Sequence, residues 1–214
     1  MSKKDKKKDI NITIDKKIII TFIACLVLFA LISLLIVTKN ISWFDNGVYN
    51  IVSKMICEPM TFVFKTITLL CEYETILLLL LAFFIFMKKK KVAFLIALNS
   101  GLCVLVNQLV KHIFLRTRPV GIALIKQGGY SFPSGHSMIA MAFYGLLIYM
   151  IQKSKLSKNK KVIFTVLLSM LVILVGLSRI YLGVHFASDV LGGFALSLAY
   201  LIVFINFIYI KKEN

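Results

Sequence analysis

Six stretches of this chain are each long and apolar enough to cross a lipid bilayer, and that leaves few choices of fold. A crossing needs about 20 mostly apolar residues. The candidates are Ile18–Thr38, Thr66–Met87, Val92–Leu115, Pro133–Ile151, Val162–Leu182 and Val190–Ile210. The fifth is purely apolar only as far as Leu177, just before Ser178 and Arg179. Hydrophobic residues make up 59% of the 214, against roughly 45–50% in a soluble globular protein. The expected fold is therefore all-α, a six-transmembrane helical bundle. The first stretch does not read as a cleaved signal peptide, because its apolar run is too long and no small-x-small site follows it. The expected organisation is a basic tail over residues 1–17, one six-span domain over 18–210 and a short tail over 211–214, with no internal repeat or low-complexity linker.

The formal net charge of +17 raises the question of nucleic acid, and the placement of the basic residues answers it. They fall in short blocks between apolar runs: "MSKKDKKKD" at the start, "KKKK" at 88–91, "KSKLSKNKK" at 153–161 and Lys211–Lys212 at the end. Six spans put all four blocks on one side, which the positive-inside rule assigns to the cytoplasm. No nucleic-acid partner is expected. The other side receives residues 39–65, residues 116–132 and the short stretch near 183–189, and Trp43–Phe44 in the first can anchor an interfacial helix between spans 1 and 2. Cys25 and Cys103 read as small core residues. Cys57 and Cys71 could pair near one membrane face, although two free thiols are the simpler reading.

Polar residues at the edges of apolar spans are costly and default to functional hypotheses. Lys111 and Arg118 stand seven apart in "KHIFLRTRP". On a helix continuing to Arg118 both cations would share a face, about 10 Å apart along the axis, while Pro119 helps to end the element. A pair of snorkelling cations would look the same. "PSGH" at 133–136 opens the fourth span, where the free N–H groups of a helix start make a site for phosphate. Gly135 allows close approach of an anion, Ser134 adds a donor, and His136 stands beside them; alone, the four residues also fit an ordinary helix start. "SRIYLGVHFASD" at 178–189 supplies Arg179 and places His185 four residues before Asp189, so that on a helical turn the two can bond. An aspartate on one imidazole nitrogen leaves the other free to attack or to accept a proton. Together, three permanent cations around two histidines make sense around a phosphate rather than as packing.

In these residues the chain resembles the type 2 phosphatidic acid phosphatase family of integral membrane phosphatases. That family's signature is K-x6-RP, PSGH and SR-x5-H-x3-D, and its eleven specified positions are all present in order. The resemblance runs from the second span to about residue 205. It implies that His185 is the nucleophile, forming a phosphohistidine, that Asp189 orients it, and that His136 protonates the leaving oxygen. It further implies that Lys111, Arg118, Ser134, Gly135 and Arg179 hold the phosphoryl oxygens. Ser178 belongs to the signature without a separate role. No carboxylate cluster of the kind that holds Mg²⁺ stands on that side, so no metal or cofactor is expected. A helix N-terminus disfavours imidazolium, so His136 is a poor acid until the phosphate charge favours its protonated form.

The implied substrate is a lipid phosphate or diphosphate whose tails stay in the bilayer, met at the outer face of the membrane. Undecaprenyl diphosphate, phosphatidylglycerophosphate and phosphatidate are the precedents. "PSGH" and the preceding "GGYSF" look more like the phosphatidylglycerophosphate-directed branch than the undecaprenyl diphosphate group, whose motif often reads PSDH. Phosphotransfer to an acceptor other than water and non-catalytic lipid-phosphate binding are the rival readings. Glu72 and Glu74, in the outer part of the second span, could contact a lipid head group or a neighbouring cation, with a structural role the favoured reading. His112 points about 100° away from Lys111, Lys126 is an outer-loop cation, and Asn99, Asn107 and Gln108 read as bonding between helices.

Overall fold

The computed structural model describes residues 16–206, so the tail expected over 211–214 and all but the last two residues of the one expected over 1–17 lie outside the described residues. The described chain is helical, with no strand among those residues. The helices are α1 (Lys16–Val37), α2 (Ser42–Val52), α3 (Glu58–Leu69), α4 (Tyr73–Phe86), α5 (Lys90–Phe114), α6 (Gly135–Lys153), α7 (Lys158–Tyr181) and α8 (Ala187–Phe204). Five of them, α1 and α5 to α8, are long and apolar enough to cross a membrane unaided.

The second expected span is where the structure departs from the sequence reading. It starts eight residues earlier and is two helices, α3 and α4, bent by 47° at a short break. Neither half reaches across about 30 Å of hydrocarbon alone, at 1.5 Å per residue. The end of α3 tightens through i→i+3 bonds from Leu70, Cys71 and Glu72 to Ile67, Thr68 and Leu69. Leu70's freed carbonyl accepts from the Tyr144 hydroxyl at 3.0 Å. Glu72 turns extended as the N-cap of α4 (φ −68, ψ 154). The break thus lifts a carboxylate out of the helix at the level of the polar residues.

The core is α6, α7 and α8 packed on one another and on α5. Its centre is Phe143, Met138, Leu146 and Val175, none of them exposed. Two of the three amides expected between helices bond as expected: Asn99 donates to Ala142 O at 2.8 Å and Asn107 to Pro133 O, just before α6, at 3.1 Å. Helix α1 buries only Ile32, while Ile20, Leu31 and Leu34 stay more than half exposed. That is the surface of a helix meant for lipid. The expected interfacial helix is α2, with Trp43 76% exposed on one side and Asp45 buried on the other.

The two lysine-rich links sit together. A groove lined by Met87, Lys88, Lys89, Val92, Met150, Lys153 and Ser154 joins the α4–α5 and α6–α7 turns at one end of the bundle. The polar motifs gather at the other end of α5, about 36 Å away along its 25 residues. All four cysteines are free, with Cys57 exposed and Cys71 buried.

Candidate active site

Three element ends build the site: the C-terminus of α5 and the N-termini of α6 and α8. Helix α5 stops at Phe114 because Leu115 turns left-handed (φ 49), so Lys111 and Arg118 are not on one helical face as the spacing predicted. The link after the helix brings Arg118 back instead. Its Nε donates to the carbonyls of Gly128 and Gly129 at 3.0 Å each, and its Nη1 to Val184 O at 2.7 Å. Helix α6 starts two residues later than Pro133, with Ser134 as N-cap. Helix α8 starts at Ala187, so His185 precedes the helix rather than sharing a turn of it with Asp189.

The α7–α8 turn carries His185 and needs a glycine. Gly183 has φ +67, and a Cβ there would lie 2.3 Å from the carbonyl oxygen of Ile122, which belongs to the 116–132 link. Leu124 N–H donates to Leu182 O at 2.9 Å beside it. Gly183→Ala must therefore push the link off the turn and hold a strained backbone as well, a cost of several kcal/mol. We expect the variant in detergent to melt at least ~5 °C lower and to lose substrate affinity through the displaced Arg118. An unchanged melting curve would contradict this packing.

Between these ends lies a cavity of about 180 Å³, walled by Lys111, Arg118, Gly135, His136, His185 and neighbouring residues of the α4 start and the 127–130 link. His185 is buried, and Arg118 Nη1 lies 3.0 Å from its Nε2. A guanidinium can only donate, so Nε2 is the nitrogen with the lone pair and Nδ1 carries the hydrogen. Nδ1 faces Asp189 Oδ2 and Ser131 Oγ, each at 3.4 Å. Burial pushes the His185 imidazole well down, to about 3, against the opposing pull of Asp189. That direction favours the uncharged ring, with its Nε2 lone pair toward Arg118 on the cavity wall. Burial also lowers Arg118, with Asp189 opposing.

Asp189 is itself held from four sides. Ser131 Oγ donates to Oδ2 at 2.5 Å, Phe186 N–H to Oδ2 at 2.9 Å, Arg116 Nη1 to Oδ1 at 2.7 Å, and His185 completes the set. Arg116 then reaches through Nη2 to Asp45 Oδ2 at 2.7 Å, and stacks over the Phe186 ring at 4.2 Å. Asp45 in turn accepts from the backbone N–H and hydroxyl of Ser188 at 2.9 and 2.8 Å, at the start of α8, where a helix N-terminus favours negative charge. Arg116, Asp45 and Ser131 were not singled out by the sequence reading. Arg116 had a visible sign, being a third cation in "KHIFLRTRP". Asp45 and Ser131 had none.

Across the cavity, His136 is 8% exposed, and its Nε2 lies 3.1 Å from Glu72 Oε1. Lys111 donates to Tyr130 O and is buried with its ammonium at the wall. A Cβ on Gly135 would come 3.1 Å from Asn107 Oδ1, a tight contact that a small shift of Asn107 would have to relieve, so the bare backbone there suits the packing as well as an anion. Two of the expected phosphate ligands stand further back. Ser134 is fully buried, and its hydroxyl accepts from Ser137 Oγ at 2.9 Å and from Ser137 N–H at 3.4 Å. Arg179 is also fully buried, donating to Thr68 Oγ1 at 2.5 Å and to Gln127 Oε1 at 2.6 Å. It adds charge behind the wall through Gln127, which does line the cavity. His112, turned aside as expected, bonds Gln108 O and edges onto Tyr130 at the rim.

A helical membrane bundle with two histidines and buried cations converging on one small cavity defines a class, and the sequence comparison agrees with it. The chain belongs to the PAP2 superfamily, whose pattern matches residues 88–213. It is similar to phosphatidylglycerophosphatase B of Bacillus subtilis (strain 168), with 45% identity over 96 residues, 44% of this chain and 47% of that protein. The matched region thus spans about half the length of this curated relative. Over the whole fold it resembles the crystal structure of the first transmembrane PAP2 type phosphatidylglycerolphosphate phosphatase from Bacillus subtilis. That match has a TM-score of 0.81 and 28% identity, over 90% of this chain and 98% of that one. Aquifex aeolicus LpxE shares the fold at a TM-score of 0.61 and 22% identity, over 75% of this chain and 94% of that one.

Proposed function

We propose that this protein is an integral membrane lipid phosphatase working through a phosphohistidine. The observation that carries the reading is His185: a buried imidazole, its Nε2 directed at Arg118 on the cavity wall and its Nδ1 backed by Asp189. Nε2 attacks phosphorus, the bond to the lipid oxygen breaks, and His136 gives that oxygen a proton. Water then attacks the phosphohistidine, His136 takes the water's proton, and phosphate leaves. As Nε2 bonds phosphorus the ring becomes cationic, and the Asp189 carboxylate stabilises that charge. Lys111 and Arg118 neutralise the phosphoryl oxygens as their charge rises, with Gly135 at the start of α6 offering backbone approach. Ser134 and Arg179 act from behind, one shaping the α6 start and the other fixing Gln127.

The relatives named for phosphatidylglycerophosphate favour that lipid as substrate, with phosphatidate and undecaprenyl diphosphate as further candidates. Phosphate release from each by purified protein in detergent tests the reading. Because the protein supplies nucleophile and counter-charge itself, release should persist in EDTA and be inhibited by orthovanadate, a mimic of the pentavalent transition state. Release with no acceptor added would remove the phosphotransferase reading; its absence with all three lipids would overturn the phosphatase.

The lysine-rich end is proposed to face the cytoplasm and the cavity the outside, with 18–210 as one phosphatase domain between cytoplasmic tails. Cys57 is a native reporter of this. It is exposed, and its backbone N–H donates to the Tyr181 hydroxyl at the cavity end of α7. An impermeant maleimide applied to whole cells should label the wild type and not Cys57→Ser. Labelling only after permeabilisation would reverse the orientation.

A further inference from the structure

We propose that Glu72, at the break between α3 and α4, is a positioning residue for the reaction: its carboxylate favours the charged form of His136 that donates the proton. The inference rests on the phosphatase reading and deepens it. His136 stands where an imidazolium is disfavoured. It lies at the N-terminus of α6, whose dipole opposes positive charge, and it shares the cavity wall with Lys111 and Arg118. A proton donor so placed needs a fixed opposite charge. Among the described carboxylates, Asp189 is committed to Arg116, Ser131 and His185, and Glu72 is the one within ion-pair distance of His136, at 3.1 Å.

The backbone reaches that position only because the span is broken. In a continuous helix through residues 66–87, Glu72 would keep helical backbone angles and carry its side chain on the helix surface. The break makes it an N-cap in extended conformation and leaves its carboxylate only partly exposed, at 28%. Contact with His136 is by charge and proximity, as no aligned hydrogen bond forms at Nε2, so the ring is not locked to the glutamate. The substrate's phosphate also attracts the proton, but its charge is largely answered by Lys111 and Arg118. Glu72 is present before substrate arrives and after the lipid alcohol leaves. Proton balance is unchanged: His136 gives one proton to the lipid oxygen and regains it from water, and Glu72 stays ionised.

A merely structural glutamate and a partner of the proton donor differ in one readout, dependence on the leaving group. An alkoxide cannot leave without a proton, whereas 4-nitrophenolate can. With full-length protein in detergent, Glu72→Gln should lower kcat on dioctanoyl phosphatidate by on the order of 10- to 100-fold, a fraction of what general acid catalysis contributes. KM should stay within about twofold, and the rate on 4-nitrophenyl phosphate should fall by no more than about threefold. Glu72→Asp, which keeps the charge, should recover most of the loss and controls for folding. Equal losses on both substrates, a change confined to KM, or a gain in rate would overturn the proposal. A wild type that releases phosphate from neither substrate would instead sink the phosphatase reading itself.

Discussion

His185→Ala should lower phosphate release by on the order of 10⁴-fold or more, with KM nearly unchanged. No other group lining the cavity is backed by Asp189 as His185 is. His136 has its Nε2 beside a carboxylate, the serines nearby spend their hydroxyls on each other or on Asp189, and the remaining wall sets Lys111 and Arg118 among neutral side chains such as Tyr73, Asn107, Gln127 and Tyr130. The substitution removes a side chain that is 3% exposed, so some stability is lost with the activity. His185→Asn, closer in shape, separates the two effects: it should fold and remain inactive. Hydrolysis by His185→Asn at more than about a hundredth of the wild-type rate would contradict the assignment.

Arg116→Ala should be the most destabilising single change at the site. Its guanidinium lies between Asp45 and Asp189, 2.7 Å from each, and their side chains are 1% and 0% exposed. Removing it leaves two buried carboxylates without their shared cation, and breaking a buried pair in this way costs about 3–5 kcal/mol. A loss of about 10 °C in melting temperature is expected at this chain length. Activity should fall further than folding explains, because Asp189 loses one of the bonds that aim it at His185. The second substitution Asp45→Asn in the Arg116→Ala background should recover part of the stability by removing one stranded charge. An Arg116→Ala protein as stable as wild type would contradict the network.

The sequence made the spans legible because lipid demands long apolar runs and lysine blocks punctuate them. It made the histidines legible because their chemistry is carried by short local motifs. What it hid are places where geometry depends on residues far apart. Asp45 meets Ser188 across 143 positions and Arg116 across 71, and no local pattern marks such a partner. The end of α5 was hidden because Leu115 takes a left-handed cap without the usual glycine. The break at Glu72 was hidden for a similar reason: "TLLCEYET" contains neither proline nor glycine, and the turn is held by Tyr144 and Arg179 from other helices. Glu72 therefore looked like a structural carboxylate until the bend placed it beside His136. Ser134 and Arg179 show the converse, since a motif names residues without saying which of them line the cavity and which stand behind it.

Passage of the phosphoryl group through His185 leaves a covalent trace that can be trapped by rapid acid-free quenching during turnover of ³²P-labelled phosphatidate, followed by peptide mapping. An acid-labile, alkali-stable phosphoryl adduct is expected on the peptide containing His185, formed before phosphate release and absent from His185→Asn. Full turnover with no adduct, or an adduct on another residue that survives His185→Asn, would contradict it.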